Sequence, residues 1–391
     1  MFGRVASRRL ASCFEALAPS ELKAGGWELT VNNRVARRMK DRKTPKTPTP
    51  TIRDVAIRAG VSPATVSNTL SGLRGVTGER RRAVLEAVAA LGYTSNHAAS
   101  SLRRGKTRTV GIVVPNLGNE FYAGLVREWE KIASSSNFEM LVVASGEDAQ
   151  TEARRIESLI ARQIDGLLVV AAQDEFGTTP GFPPRLPPTV LVDRARSHPD
   201  FDTICSDNLG AAYRGTRHLL ELGHTEVTLL ISSTNHAHLR DRVEGYRRAL
   251  AEHGFSAAER ILFGGGTIEG CRSAIEQDLR RSHPPTAIFA ATFYATIGAV
   301  KAINALDLAF PEKISLLGFE HSEWMTALRP YISTVRQSVD DLASLSWRTL
   351  NGRIAGEPTE FVRELIDFRF EFRESTRPPG KAPKLTSIGP P

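Results

Sequence analysis

"TIRDVAIRAGVSPATVSNTLSG", residues 51–72, decides how the rest of the chain is read. Two short helical patterns, 52–59 and 62–70, meet at Gly60, a residue free to take the left-handed backbone of a tight turn. Ser62 suits the N-cap of the second helix, and Pro63 its first position, where a missing N–H loses nothing. Val55, Ala56, Val61, Val66 and Leu70 supply one compact apolar face. What remains of the second helix is small and uncharged, so its backbone can approach another surface closely. That is a helix-turn-helix, whose second helix enters the DNA major groove by its N-terminal end. Ser62, Thr65 and Ser67 can hold phosphates, Ala64 can touch a thymine methyl, and the Asn68 amide best matches adenine. Together with Thr51 and Pro63 they form the expected DNA-facing set. A third helix follows over about 78–91, with Val84, Leu85, Val88 and Leu91 at helical spacing and Gly92 to stop it.

Charge agrees with a polyanion partner for this end of the chain. Of 391 residues, the first 110 carry 21 Lys and Arg against 7 Asp and Glu, whereas the remainder carries 30 against 36. "DRKTPKTPTP" (41–50) cannot hold a helix, so 1–50 reads as a basic, disordered arm. Its start is broken by Arg8 and Arg9 and makes a poor secretory signal; Met39 is an alternative start. With 41% hydrophobic and 24% charged residues, and no apolar run near the roughly 18 residues a membrane span needs, the chain reads as globular and not membrane-bound. Cys13, Cys205 and Cys271 are too far apart for a metal site or disulfide framework, which points to a cytoplasmic location.

From residue 109 the texture changes to buried-strand runs alternating with amphipathic helices. "TVGIVVP", "FEMLVVAS", "IDGLLVVAA", "TVLVDR", "EVTLLIS", "TAIFAAT" and "ISLLGFE" are strands, interleaved with helices such as "EFYAGLVREWEKIASSS" and "AAYRGTRHLLELG". Such alternation implies right-handed βαβ units, and there are too many strands for one six-stranded sheet. Two doubly wound parallel-sheet subdomains are expected, with "GTTPGFPPRLPP" (177–188) a loop in the first and no internal sequence repeat.

The whole order of blocks resembles the lactose-repressor (LacI/GalR) family of transcription factors. The resemblance rests on 51–72, on "RRAVLEAVAALGYTSNHAASSLRRGKTRTVGIVVP", and on "GHTEVTLL", "RVEGYRRAL", "PTAIFA", "ISLLGFEHSEW", "STVRQSV" and "REST", covering about 51–376. It implies an all-α helix-turn-helix domain (51–95), a hinge (96–107), a periplasmic-binding-protein-like α/β body (108–378) and a disordered tail (379–391). Lobe 1 of the body is about 108–206 plus 337–364, and lobe 2 about 207–336 plus 365–378. The implied hinge contacts are Asn96, Ala99, Leu102 and Arg103, Leu102 wedging into the minor groove, which suits an exposed leucine in a basic stretch. Ser100 stands where family hinges usually carry arginine, and Asn68 where many members do, so no relative's operator preference carries over.

The resemblance also implies an effector bound between the lobes, at the carboxyl ends of the strands. Arg242 in "RVEGY" is the expected carboxylate- or hydroxyl-binding residue, set against a surface ion pair with Glu244 or Asp241. Asp193 can accept ligand hydroxyls or pair with Arg194; Glu320 takes the place of the family's usual aspartate. Asn116, Asn119 and Phe121 line the first loop. Thr292 and Phe293 replace a commonly found Asn-Asp pair, which keeps open a less polar ligand or an empty cleft.

The expected whole is a homodimeric repressor of a near-palindromic double-stranded DNA operator, controlled by a small sugar-like effector, with no cofactor or metal. A transport-type solute-binding protein shares the body but has no use for 51–104. An enzyme is disfavoured because "GGG" (264–266) and "RRGKT" lack nucleotide-site spacing and no nucleophile–base set is found. His224, His236 and His238 read as scattered surface residues.

Overall fold

Thr51 caps the first helix in both directions: the Asp54 carboxylate accepts its N–H at 2.8 Å, and its hydroxyl accepts the Asp54 N–H at 3.4 Å. The helix, α1 (Ile52–Ala59), ends at Gly60 with φ 63°. Ser62 then caps α2 (Pro63–Leu70), its hydroxyl accepting the Thr65 N–H at 3.2 Å, and α3 (Gly78–Leu91) closes the set. Val55, Ala56, Val66, Val84 and Ala87 form the core of this unit, with Val61, Leu70, Val88 and Leu91 packed against it. Leu85 departs from expectation and is 49% exposed. One residue on from buried Val84 it is rotated by about 100° around the helix, off the stripe that Val84, Ala87, Val88 and Leu91 share.

The structure, a computed structural model, describes residues 50–70, 76, 78–93, 107–194, 198–357 and 360–380. The arm to residue 49 with Cys13, the hinge residues Asn96, Ala99, Ser100, Leu102 and Arg103, and the tail from 381 lie outside the described residues. The chain divides into two units, Met1–Asn96 and His97–Pro391.

In the second unit β1 (Thr109–Val114), α4 (Glu120–Ser135), β2 (Glu139–Ala144), α5 (Ala149–Ile160), β3 (Gly166–Val169), β4 (Thr189–Val192) and β5 (Asp202–Ser206) build a first sheet. The chain then crosses into α6 (Asn208–Glu221), β6 (Val227–Ile231), α7 (Ala237–Glu252), β7 (Ile261–Phe263), α8 (Ile268–Leu279), β8 (Ala287–Ala290), α9 (Phe293–Ala305), β9 (Ser315–Phe319) and β10 (Ser333–Arg336). It returns for α10 (Val339–Ala355) and β11 (Arg363–Ile366), and crosses a last time to β12 (Arg369–Glu371).

Both sheets have six strands, ordered β11-β5-β4-β3-β1-β2 and β12-β10-β9-β8-β6-β7. The first is parallel throughout; the second is parallel except where β12 runs antiparallel to β10. The expected two doubly wound subdomains are therefore present, and their five shared strands follow one order. A duplication invisible in the sequence is plain in the topology, because a fold tolerates many side-chain sets of the same pattern. The last crossover lies just beyond 364: β11 pairs with β5 along its whole length, so all of it belongs to lobe 1.

Each sheet is sandwiched between helices over its own core, around Trp129, Ile112 and Trp347 in lobe 1 and around Tyr246, Phe289 and Phe319 in lobe 2. The returning segment is tied in by charge. Arg353 of α10 grips Asp202 of β5 with two bonds of 2.8 Å, and the same carboxylate accepts the Val362 N–H at 2.7 Å. Cys205 and Cys271 are both buried. No helix of the described residues is long and apolar enough to cross a membrane.

Candidate effector cleft and DNA-facing helix

Where the carboxyl ends of the two sheets face each other lies a cleft of about 550 Å³. All eight residues expected to line it do so: Asn116, Asn119, Phe121, Asp193, Arg242, Thr292, Phe293 and Glu320.

Local chemistry places each of them. Asn116 and Asn119 fold the loop after β1, the Asn116 side-chain oxygen accepting the Asn119 N–H and the Asn119 oxygen the Phe121 N–H, both at 2.9 Å. Phe121 thereby stands in the first turn of α4 at the cleft wall, edge-on to Tyr122. Thr292 repeats the device in lobe 2: its hydroxyl accepts the Ala295 N–H at 3.2 Å and caps α9, whose first residue is Phe293. Thr292 thus keeps the capping role open to an asparagine while offering the cleft less polarity.

Arg242 reaches the cleft because α7 packs unusually close to α6. A Cβ on Gly245 would stand 2.2 Å from the Leu209 carbonyl oxygen, so no larger residue fits. The Arg242 guanidinium lies 3.6 Å over the Phe319 ring and donates to the Asn208 side-chain oxygen at 2.8 Å and the Ala291 carbonyl at 2.7 Å. The alternative of a surface ion pair does not apply, since the side chain is 2% exposed. Burial lowers its pKa to about 10, against Glu320 and Asp193, which raise it.

Asp193 and Glu320 sit in the left-handed backbone region, φ 72° and 70°. Each has one buried carboxylate oxygen without a partner among the described residues. Burial pushes Asp193 up to about 6, opposed by the nearby charges of Arg194 and then Arg242, and Glu320 up to about 8, opposed by Arg242. Asp193 has no ion pair with Arg194. That guanidinium instead takes Glu147 at 2.5 and 2.8 Å and the Tyr122 hydroxyl at 2.9 Å.

Sequence reading missed several walls of the cleft: Tyr122, Glu147, Arg194, His236, His238 and Gln337. His224 and His238 are buried, so the expectation of surface residues is corrected for both, whereas His236 is half-buried at the cleft. His224 bridges the Thr286 and Ser315 hydroxyls in lobe 2. His238 is driven well below the usual imidazole range by burial and by Arg242 and Arg194, leaving it neutral. The signal for His236 and His238 lay in their position just before "RVEGY", on the turn of α7 that opens onto the cleft. Among the described residues no group of three or more His, Cys, Asp or Glu is gathered to hold a metal.

In the first unit, Ser62, Pro63, Ala64 and Asn68 are exposed on α2, Thr65 and Ser67 half-buried, and Thr51 exposed at the cap of α1. The Ser62 and Thr65 hydroxyls share a hydrogen bond of 3.0 Å, presenting both oxygens at the helix start. Nothing acidic stands in the first turn of α2, so its N-terminus faces outward as a positive dipole end.

Residues 51–96 match the model of bacterial regulatory proteins of the lacI family, and residues 107–351 that of periplasmic binding proteins and the sugar-binding domain of the LacI family. The chain is 29% identical over 332 residues to catabolite control protein A of Priestia megaterium, covering 84% of this chain and 99% of that one. It is 33% identical over 298 residues to the transcriptional regulator GalS of Salmonella typhimurium, covering 76% and 87%. Among solved structures, a complex of the regulator CelR with cellobiose is 27% identical with a TM-score of 0.61 over 83% of this chain and 99% of that one. The lac repressor dimer bound to operator and the anti-inducer ONPF, 23% identical, shares the fold with a TM-score of 0.75 over 84% and 99%.

Proposed function

The chain belongs to the LacI family of bacterial regulatory proteins, and from that premise we propose how its parts divide the work. It is a sequence-specific DNA-binding transcriptional regulator, a repressor controlled by an effector, and not an enzyme. In our reading α2 lies in the major groove, with Asn68 at a base edge and Ser62, Thr65 and Ser67 on phosphates. Asn96, Ala99, Leu102 and Arg103 contact the centre of a near-palindromic operator, which a homodimer spans in the cytoplasm.

The effector binds in the cleft between the lobes. One observation carries this: buried oxygens of Asp193 and Glu320 and the buried Nδ1 of His238 have no partner among the described residues, yet their residues line one cavity. Buried polar groups cost about 1–3 kcal/mol each when unmet, so a ligand that meets them is strongly favoured. This favours a liganded cleft over an empty one. Sugar-like molecules, whose hydroxyls both donate and accept, suit the Asp193 and Glu320 carboxyls lining one cavity; Phe121 and Phe293 suit an apolar ring face.

Ligand closure and operator binding then share one coupling free energy, each weakening the other equally. Fluorescence anisotropy on inverted-repeat and random duplexes tests the DNA half, and a thermal-shift panel of sugars, sugar acids and nucleobases the effector half. Equal affinity for both duplexes would sink the first; no shift across the panel would sink the sugar-like reading.

A further inference from the structure

We propose that Asp174 of lobe 1 clasps the start of α7 in lobe 2 and holds the cleft closed before any effector arrives. The helix that carries His238 and Arg242 has no cap of its own. His236 at its N-cap makes no side-chain hydrogen bond to it, and its first turn contains no acidic residue. Elsewhere in the body Asn119, Asp148, Thr267 and Thr292 cap the helices they precede. For α7 the acceptor comes from the opposite lobe: one Asp174 oxygen takes the Ala237 N–H at 2.9 Å.

The other Asp174 oxygen takes the Arg240 guanidinium at 2.6 Å. Arg240 is aimed at it by bonds to the Thr234 and Asn235 carbonyls at 3.0 and 3.2 Å. Beside this contact the lobes meet again, where the Arg194 guanidinium of lobe 1 lies 3.3 Å from Nε2 of His236 in lobe 2. Burial and Arg194 keep His236 below its ordinary pKa, so the imidazole is a neutral acceptor there. A carboxylate at a helix N-terminus that also holds a guanidinium is a strong, short-range contact. It is lost once the lobes part by more than an ångström or so, because hydrogen bonds fail beyond about 3.5 Å.

Because both partners of the clasp belong to the protein, it favours the lobes-together form whether or not an effector is bound. For its regulatory consequence this rests on the effector reading above: an effector that prefers the closed form finds it already populated, and binds more tightly in proportion to that population.

Hydrogen exchange on the full chain with no ligand added tests the clasp itself, independently of any effector. Asp174→Ala removes both bonds, Asp174→Asn keeps the cap but loses the ion pair, and Arg240→Ala removes a largely exposed partner with little risk to folding. With Asp174→Ala, amides on cleft walls away from the contact, 116–123 in lobe 1 and 290–296 in lobe 2, should exchange about tenfold faster or more, the worth of a charge-assisted bond. Asp174→Asn and Arg240→Ala should give smaller increases in the same segments. Faster exchange confined to 236–240, or none, overturns the clasp and leaves Asp174 a local cap. Should Asp174→Ala fail to fold, the other two variants decide. A silent ligand panel with an intact exchange result would sink the sugar-like reading and leave the clasp standing.

Discussion

Asp193 and Glu320 are one position of a duplicated pattern, each directly following the fourth strand of its lobe, β4 and β9. Both adopt left-handed backbone, and both donate their N–H to the fifth strand, to Ile204 at 2.9 Å and Val335 at 2.8 Å. The pattern turns two carboxyls from opposite lobes into the same cavity. In the proposed reading a ligand reaches both only when the lobes are together, which couples recognition to closure.

The Glu320 carboxyl makes stability depend on pH. Its folded pKa of about 8 lies above its ordinary 4.5. The group therefore contributes stability fully present below 4.5 and lost as pH rises through about 8. Asp193, raised to about 6, acts in the same direction over a lower window. Glu320→Gln should flatten the fall in melting temperature between about pH 5 and 8, a slope of at most ~1.4 kcal/mol per pH unit. An unchanged slope would place the titration elsewhere.

Arg242→Ala should abolish effector response while leaving DNA binding intact. It also strands the Asn208 amide oxygen and Ala291 carbonyl, costing about 1–3 kcal/mol of body stability. Arg242→Lys retains a charge without the planar fork and should recover stability more than response. Paired anisotropy and melting measurements check this, and a normal response in Arg242→Ala would move the site.

Asn68→Ala should cost about 1–3 kcal/mol of discrimination at one base pair and leave the salt dependence of binding unchanged, because no phosphate contact is lost. Binding to a library of single-base operator variants reads this directly. Uniform weakening across all sequences would make Asn68 a phosphate contact.

Leu102→Ser, in the hinge outside the described residues, should weaken specific binding while the melting of the body stays unchanged. Unaltered operator affinity removes the wedge role.

Asp202→Ala should destabilise lobe 1 by about 1–3 kcal/mol, since Arg353 loses its bidentate partner and the Val362 N–H its acceptor while the Glu360 carbonyl still holds the guanidinium. Denaturant unfolding measures it, and a cost below about 1 kcal/mol would show that solvent takes over the guanidinium.

Much of this architecture was legible from local rules. Gly60, Ser62 and Pro63 set a turn and two helices through backbone and capping chemistry alone, and the strand runs announced two parallel sheets. "RVEGY" marked Arg242 through the family resemblance, and the structure adds that its glycine allows the close helix contact beside it. Leu85 was misplaced because spacing gives a helical face only to within a residue. His224, His236 and His238 looked like surface residues because imidazole carries no signal of burial.

Local sequence thus settled the helix-turn-helix and the βαβ order, features governed by neighbours within a few positions, while the eight residues that line the cleft were picked out through the family resemblance. Tertiary structure alone decided that Arg194 turns from Asp193 to Glu147, that Asp174 caps a helix in the other lobe, and that two carboxyls share one cavity. Those partners lie tens of residues apart or more, and their pairing follows from which strand ends the two sheets bring face to face.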